Sequence, residues 1–85
     1  MATVELYTTP ICPFCHATKR LLDAKGVSYS DVDVMADPSR RAEMMQRANG
    51  GRTVPQIFIG DTHVGGNAEL QELERAGKLD AMLKG

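Results

Sequence analysis

The sequence predicts an α/β fold, a four-stranded mixed sheet flanked by helices. Two patterns predict it. Stretches of alternating and of helical apolar spacing follow one another in the order β-α-β-α-β-β-α, with a short terminal helix. The first β-α-β reads as a right-handed parallel unit, and Gly60-Asp61 between two apolar runs reads as a two-residue hairpin that adds an antiparallel pair. Helices on both faces of the sheet satisfy this pattern. The 85 residues make one small domain, 1–85, and no linker, repeat or low-complexity stretch divides it.

Thr3-Val4-Glu5-Leu6-Tyr7-Thr8 reads as the first strand, with Val4 and Leu6 on one core-facing side and Glu5 and Tyr7 on the other. From Pro13, the residues Phe14, Ala17, Leu21 and Ala24 recur at helical spacing, and Gly26 is the expected C′ residue. Val27 to Val34 reads as the second strand, with its alternation slipping near Ser30-Asp31. Asp37-Pro38 is an N-cap and N1 pair opening a helix whose buried stripe is Ala42, Met45 and Ala48, ended by Asn49-Gly50-Gly51. Met44 and Met45 read as core filler. Gln56-Ile57-Phe58-Ile59 and Thr62-His63-Val64 form the hairpin. Asn67 is placed to cap a helix carrying Leu70 and Leu73 and stopped at Gly77. Leu79, Met82 and Leu83 make a last helical turn or two.

Composition narrows the function. A net charge of −1 gives no electrostatic case for nucleic acid or an anionic membrane, and the absence of tryptophan argues against a base-stacking platform. No apolar run approaches the roughly 18 residues that span a bilayer. Met1-Ala2-Thr3-Val4-Glu5 lacks the basic and apolar regions of a signal peptide, so a cytoplasmic location is expected. A structural disulfide would not persist in that reducing compartment, so a lone Cys-x-x-Cys there is catalytic or metal-binding.

Cys12-Pro13-Phe14-Cys15 holds the only two cysteines. Two thiols three positions apart at the first turn of a helix lie on one face, close enough to form a small disulfide ring. The free N–H groups and the positive helix end there favour a thiolate at Cys12, the expected nucleophile. Cys15, one turn in and less accessible, is the expected resolving thiol. Pro13 suits the first helical position, where its missing N–H has no partner to lose. Zinc usually takes four protein ligands, and beyond the thiols only His16 and His63 offer soft donors, so no metal is expected. The string Cys12-Pro13-Phe14-Cys15-His16 also matches c-type haem attachment. That reading is rejected, because the string lies between a strand and a helix of an α/β unit and no export signal precedes it.

Two further segments carry chemistry. Val54, in Thr53-Val54-Pro55 ahead of a strand, can offer its backbone N–H and C=O to an extended thiol peptide if the loop faces Cys12. Gly65-Gly66-Asn67-Ala68-Glu69 leads into a helix, and glycines with free N–H groups at a helix start admit a carboxylate. Lys19, Arg20, Arg40, Arg41, Arg47 and Arg52 read mostly as solvated surface, with Arg52 best placed to meet an anionic substrate.

Cys-Pro-Phe-Cys, Thr-Val-Pro-Gln-Ile-Phe-Ile at residues 53–59 and Gly-Gly at 65–66, in this order, make the chain resemble the glutaredoxins of the small dithiol class along essentially its whole length. The resemblance implies the thioredoxin fold, a cis peptide before Pro55 and a monomer. It also implies glutathione as reductant and bound partner, and disulfide-bonded or glutathionylated proteins as substrates. The glutathione contacts it implies are Thr9, Phe14, Arg52, Thr53, Val54, Pro55, Gly66, Asn67, Ala68 and Glu69. Val54 would pair with the glutathione cysteine backbone, Ala68-Glu69 would receive the γ-glutamyl carboxylate, and Arg52 would attract the glycine carboxylate. The chain departs from the family pattern in having Phe14 for tyrosine, Thr9 for lysine, and Ala68-Glu69 for Asp-Asp or Thr-Asp. Three other readings stand beside this one. They are a reductase fed by a flavoprotein, a cluster-binding dimer disfavoured by Pro13, and a binding module with inert thiols.

Overall fold

A computed structural model describes residues 2–84; Met1, the first residue of the amino-terminal stretch read above, and Gly85 lie outside the described residues. Strand β1 (Val4–Thr8) leads through helix α1 (Pro13–Ala24) to β2 (Ser30–Asp33), then α2 (Pro38–Arg47), β3 (Gln56–Ile59), β4 (Thr62–Gly65), α3 (Asn67–Arg75) and α4 (Leu79–Lys84). The sheet order is β2-β1-β3-β4. β1 runs parallel to β2 and antiparallel to β3, and β3 pairs antiparallel with β4, with a register shift at Ile57/Phe58. The mixed sheet and the element order are those the sequence patterns predicted.

The strand facing differs from the expectation for β1. Val4 and Leu6 join Leu22, Ile57, Ile59, Leu70, Leu79 and Leu83 in the core on the α1, α3 and α4 side. Tyr7, expected to point away from a core, is fully buried in a second cluster with Val34, Met44, Ala48 and Phe58 on the α2 side. A strand in the middle of a sheet covered on both faces buries both sets of side chains, so alternation no longer marks a wet side.

Two helical stripes are displaced from their predicted positions. In α1 the buried residues are Cys15, Thr18 and Leu22, while Phe14 is 65% exposed. In α2 they are Met44 and the adjoining Ala48, with Met45 half-buried and Ala42 exposed. β2 is shorter than predicted; Val27 and Tyr29 lie in the preceding loop yet still pack on the first core.

Helix ends follow local chemistry. Past α1, Gly26 takes the left-handed φ of +69°, and Gly26 N–H and Val27 N–H donate to the Asp23 and Leu22 carbonyls, a Schellman closure. Asn49, at φ +55°, closes α2 through the same pair of bonds. Asp37 stands at the N-cap of α2, but its carboxylate accepts from Ser39 Oγ at 2.6 Å and not from the helix backbone. The expected cap of α3 is off by one: Gly66 is the N-cap and Asn67 the first helical residue.

Candidate active site

Cys12 occupies the N-cap of α1 with extended backbone, and the next residue, Pro13, opens the helix. The Cys12 N–H donates to the Thr9 carbonyl at 3.4 Å, which closes the turn between β1 and the helix. Its sulfur lies 3.2 Å from the Cys15 backbone nitrogen, which donates to it, and 3.6 Å from the Val54 carbonyl oxygen. Both cysteines are free thiols, Cys12 half-buried and Cys15 buried. Burial pushes the Cys15 thiol up to about 12, aided by its hydrogen bond with Cys12 and opposed by one from the Thr9 backbone. The two thiols are therefore unequal: one reachable, one sealed and held protonated.

The loop that supplies Val54 is fixed from several sides. The Val54–Pro55 peptide is cis, as the resemblance implied. Arg41 Nη2 donates to the Arg52 carbonyl at 2.8 Å, and Gln56 Nε2 donates to the Thr53 carbonyl at 2.9 Å. Neither Arg41 nor Gln56 stood out as a site residue in the sequence. Gln56 carried a signal, since it is a polar side chain at the start of an apolar strand and ends only 5% exposed. Arg41 carried none, because it reaches a backbone carbonyl in another segment.

Beside this loop, Phe14, Thr53, Val54, Pro55, Gly66, Asn67, Ala68 and Glu69 line a groove of about 320 Å³. Three segments far apart in sequence thus meet along one trough, with Cys12 joined to its wall through Val54. Exposed Phe14 belongs to this trough and not to the core. Two residues of the expected contact set do not line it: Thr9 is 7% exposed and serves Cys12 through its backbone, and Arg52 is exposed and absent from the lining.

At the far end of the groove the Gly66 N–H donates to Glu69 Oε1 at 2.7 Å, one half of a capping box. Asn67 Oδ1 accepts from the buried Thr18 hydroxyl at 3.1 Å and from Gln71 Nε2 at 3.4 Å, which ties α3 to α1. The two histidines are engaged elsewhere, His16 on the Pro10 carbonyl at 2.9 Å and His63 on Gln56 Oε1 at 2.7 Å.

The charged residues are less solvated than the sequence suggested. Lys19 pairs with Asp31 at 2.6 Å, and Arg47 pairs with Glu5 at 3.1 Å. The Arg47 guanidinium also lies 4.2 Å from the centroid of the Phe58 ring. These contacts brace α1 and α2 against the sheet beneath the site.

Residues 4–64 match the protein-family model described as Glutaredoxin. A Pseudomonas aeruginosa protein named glutaredoxin is 52% identical over 83 residues, covering 98% of each chain. Glutaredoxin 3 of Escherichia coli K12 is 46% identical over 84 residues, covering 99% of this chain and all of that one. Among solved structures, a buckwheat glutaredoxin–glutathione complex superposes with a TM-score of 0.89 at 31% identity, covering 98% of this chain and 77% of that one.

Proposed function

The chain belongs to the glutaredoxin family, with the thioredoxin fold and thiol–disulfide oxidoreductase activity that membership carries, and we propose that it uses glutathione to reduce protein disulfides and glutathione mixed disulfides. The observation that supports this best is the placement of Cys12. Its sulfur faces the Val54 carbonyl at one edge of a trough that ends at a helix start. A γ-glutamyl tripeptide disulfide-linked to Cys12 fits that layout. Its cysteine backbone pairs with Val54 as an added strand does, and its γ-glutamyl carboxylate lies at the α3 start near Ala68 and Glu69.

Two cycles follow from this arrangement. On a glutathionylated protein, the Cys12 thiolate attacks the glutathione sulfur, forming the Cys12–glutathione disulfide and expelling the protein thiolate, which takes up a proton. A second glutathione thiolate attacks that disulfide, releasing oxidised glutathione and restoring Cys12. On a protein disulfide, Cys12 forms a mixed disulfide with one sulfur and releases the other. Cys15 then loses its proton and attacks Cys12 Sγ, freeing the protein and leaving the Cys12–Cys15 disulfide for two glutathiones to reduce. The sealed, protonated Cys15 stays out of the first step, and its backbone N–H, donated to Cys12 Sγ, holds the attacking sulfur in place.

We further propose that residues 1–85 act as a single monomeric domain in the cytoplasm on disulfide-bonded or glutathionylated proteins, with no resident metal. The test is an NADPH-coupled assay with glutathione, glutathione reductase and a glutathionylated peptide. NADPH oxidation should require the chain and glutathione together. Turnover driven by a flavoprotein disulfide reductase and not by glutathione would overturn the proposal.

A further inference from the structure

From Thr53 a line of side-chain contacts runs to the outer strand of the sheet. Gln56 Nε2 lies 2.9 Å from the Thr53 carbonyl oxygen and 3.4 Å from Thr53 Oγ1. A carbonyl only accepts, so this end of the Gln56 amide is the NH2 group and the other end is Oε1. Oε1 in turn lies 2.7 Å from His63 Nε2. An amide oxygen only accepts too, so Nε2 of His63 carries a proton and donates. The orientation of one side chain fixes the other.

His63 is itself held in place. It is the cross-strand partner of Phe58, and the two rings stack with centroids 4.9 Å apart and planes 24° from parallel. Phe58 is 3% exposed, set edge-on against Tyr7 at 5.7 Å and close to the Arg47 guanidinium. The imidazole, exposed on its outer side, thus rests on the buried Phe58 ring, and its bond to Gln56 links the sheet to the loop that faces Cys12 and walls the trough. Neither His63 nor Gln56 lines that trough.

We infer that His63 is a positioning residue: its Nε2–H, acting through Gln56, sets the Thr53-Val54 backbone that receives an extended thiol ligand. This rests on the glutathione reading for its kinetic consequence, but not for its structural one. Losing the donor leaves Gln56 free to turn away from Thr53, so the ligand must then order the loop as it binds. The effect falls on binding and not on the exchange step at Cys12.

The test compares His63→Phe, which keeps the stack on Phe58 and lacks the donor, with His63→Gln, which restores an N–H donor. Two measurements are made on folded protein. In the ligand-free reduced state, the Val54 amide resonance should shift in His63→Phe and return towards the wild-type position in His63→Gln. In the glutathione-coupled assay, His63→Phe should raise KM for a glutathionylated peptide roughly three- to tenfold, the range expected for one lost hydrogen bond, with kcat held within about twofold. An unmoved Val54 amide and an unchanged KM in His63→Phe would overturn the inference, as would equal losses in kcat and kcat/KM. A wild-type chain inactive with glutathione overturns the functional proposal alone, because the ligand-free spectra still decide the role of His63.

Discussion

Cys15 donates its backbone N–H to Cys12 Sγ at 3.2 Å, so one sulfur serves both as the cap of α1 and as the atom placed to react. A helix start normally takes its cap from a serine, threonine or aspartate oxygen. Here the cap is a thiol, and the segment that holds it also holds its redox partner one turn away. Fold and chemistry therefore draw on the same contact and can be separated by substitution.

Cys12→Ser keeps an N-cap oxygen, so its thermal stability should stay close to that of the reduced wild type. Its turnover should be lost on every disulfide, because the other thiol, Cys15, is buried and held protonated and cannot reach a substrate. Cys15→Ser should retain most activity on glutathione mixed disulfides and lose most on protein disulfides, where resolution needs a second thiol. Parallel assays on a glutathionylated peptide and a disulfide-bonded protein check this. Equal losses in the two assays for Cys15→Ser would defeat the division of labour.

Accessibility should separate the thiols in alkylation. Cys12 is half-buried and Cys15 has no exposed surface. A limiting amount of iodoacetamide at neutral pH should label Cys12 alone, as read by peptide mass spectrometry. Labelling of Cys15 ahead of Cys12 would reverse their roles.

The shift at Cys15 also makes stability depend on pH. The folded state holds this proton up to about 12, whereas the unfolded thiol releases it near 9.0. The unfolded state therefore binds fewer protons between those values, and stability falls as pH rises through that window. The contribution is fully present below about pH 9. Denaturant unfolding of the reduced protein at pH 8 and pH 10.5 should show a drop that is smaller in Cys15→Ser. An equal drop in both proteins would assign the slope to other groups.

Much of this was legible in the chain, and the exceptions have physical causes. The hairpin, the helix opening at Pro13 and the glycines ahead of α3 are encoded within a few residues of themselves, so reading them needed no tertiary knowledge, whereas the cis Val54–Pro55 peptide followed from the family resemblance and not from its own residues. Tyr7 misled because β1 lies between two covered faces, where period-two alternation ceases to distinguish inside from outside. Phe14 misled because an apolar residue at helical spacing ordinarily faces a core, whereas here it borders the trough. The Arg41 latch on the Arg52 carbonyl left no local trace at all, since any residue presents the same backbone oxygen.

Gly65 tests how closely the end of the trough is packed. It sits at φ +112°, and a Cβ there would come within 2.8 Å of Glu69 Oε1. Gly65→Ala should therefore cost about 1–3 kcal/mol in unfolding free energy from backbone strain and displacement of the Glu69 cap. Glu69→Ala, which loses only the bond to the Gly66 N–H, should cost about 0.5–1 kcal/mol. Urea melts rank the two. A Gly65→Ala protein as stable as the wild type would show that neither the backbone strain nor the Glu69 contact carries weight.

The glutathione placement makes the most direct prediction. The tripeptide should run from Cys12 past Val54 to the start of α3, along the trough whose lining residues are already in place. In the proposed placement backbone groups supply the contacts at both ends, so the carboxylate at the helix start should gain only about 0.3–1 kcal/mol from the dipole, and added salt should weaken it. Arg52 does not line the trough and is exposed, so Arg52→Ala should change KM for glutathione by less than about threefold. The glutathione mixed disulfide of Cys15→Ser, compared by NMR with its free thiol form, should show its largest amide shifts at Thr53, Val54, Gly66, Asn67 and Ala68. Glutathione seated elsewhere would leave Val54 and Ala68 still and move the residues of α2 instead, and the proposed placement would then fall.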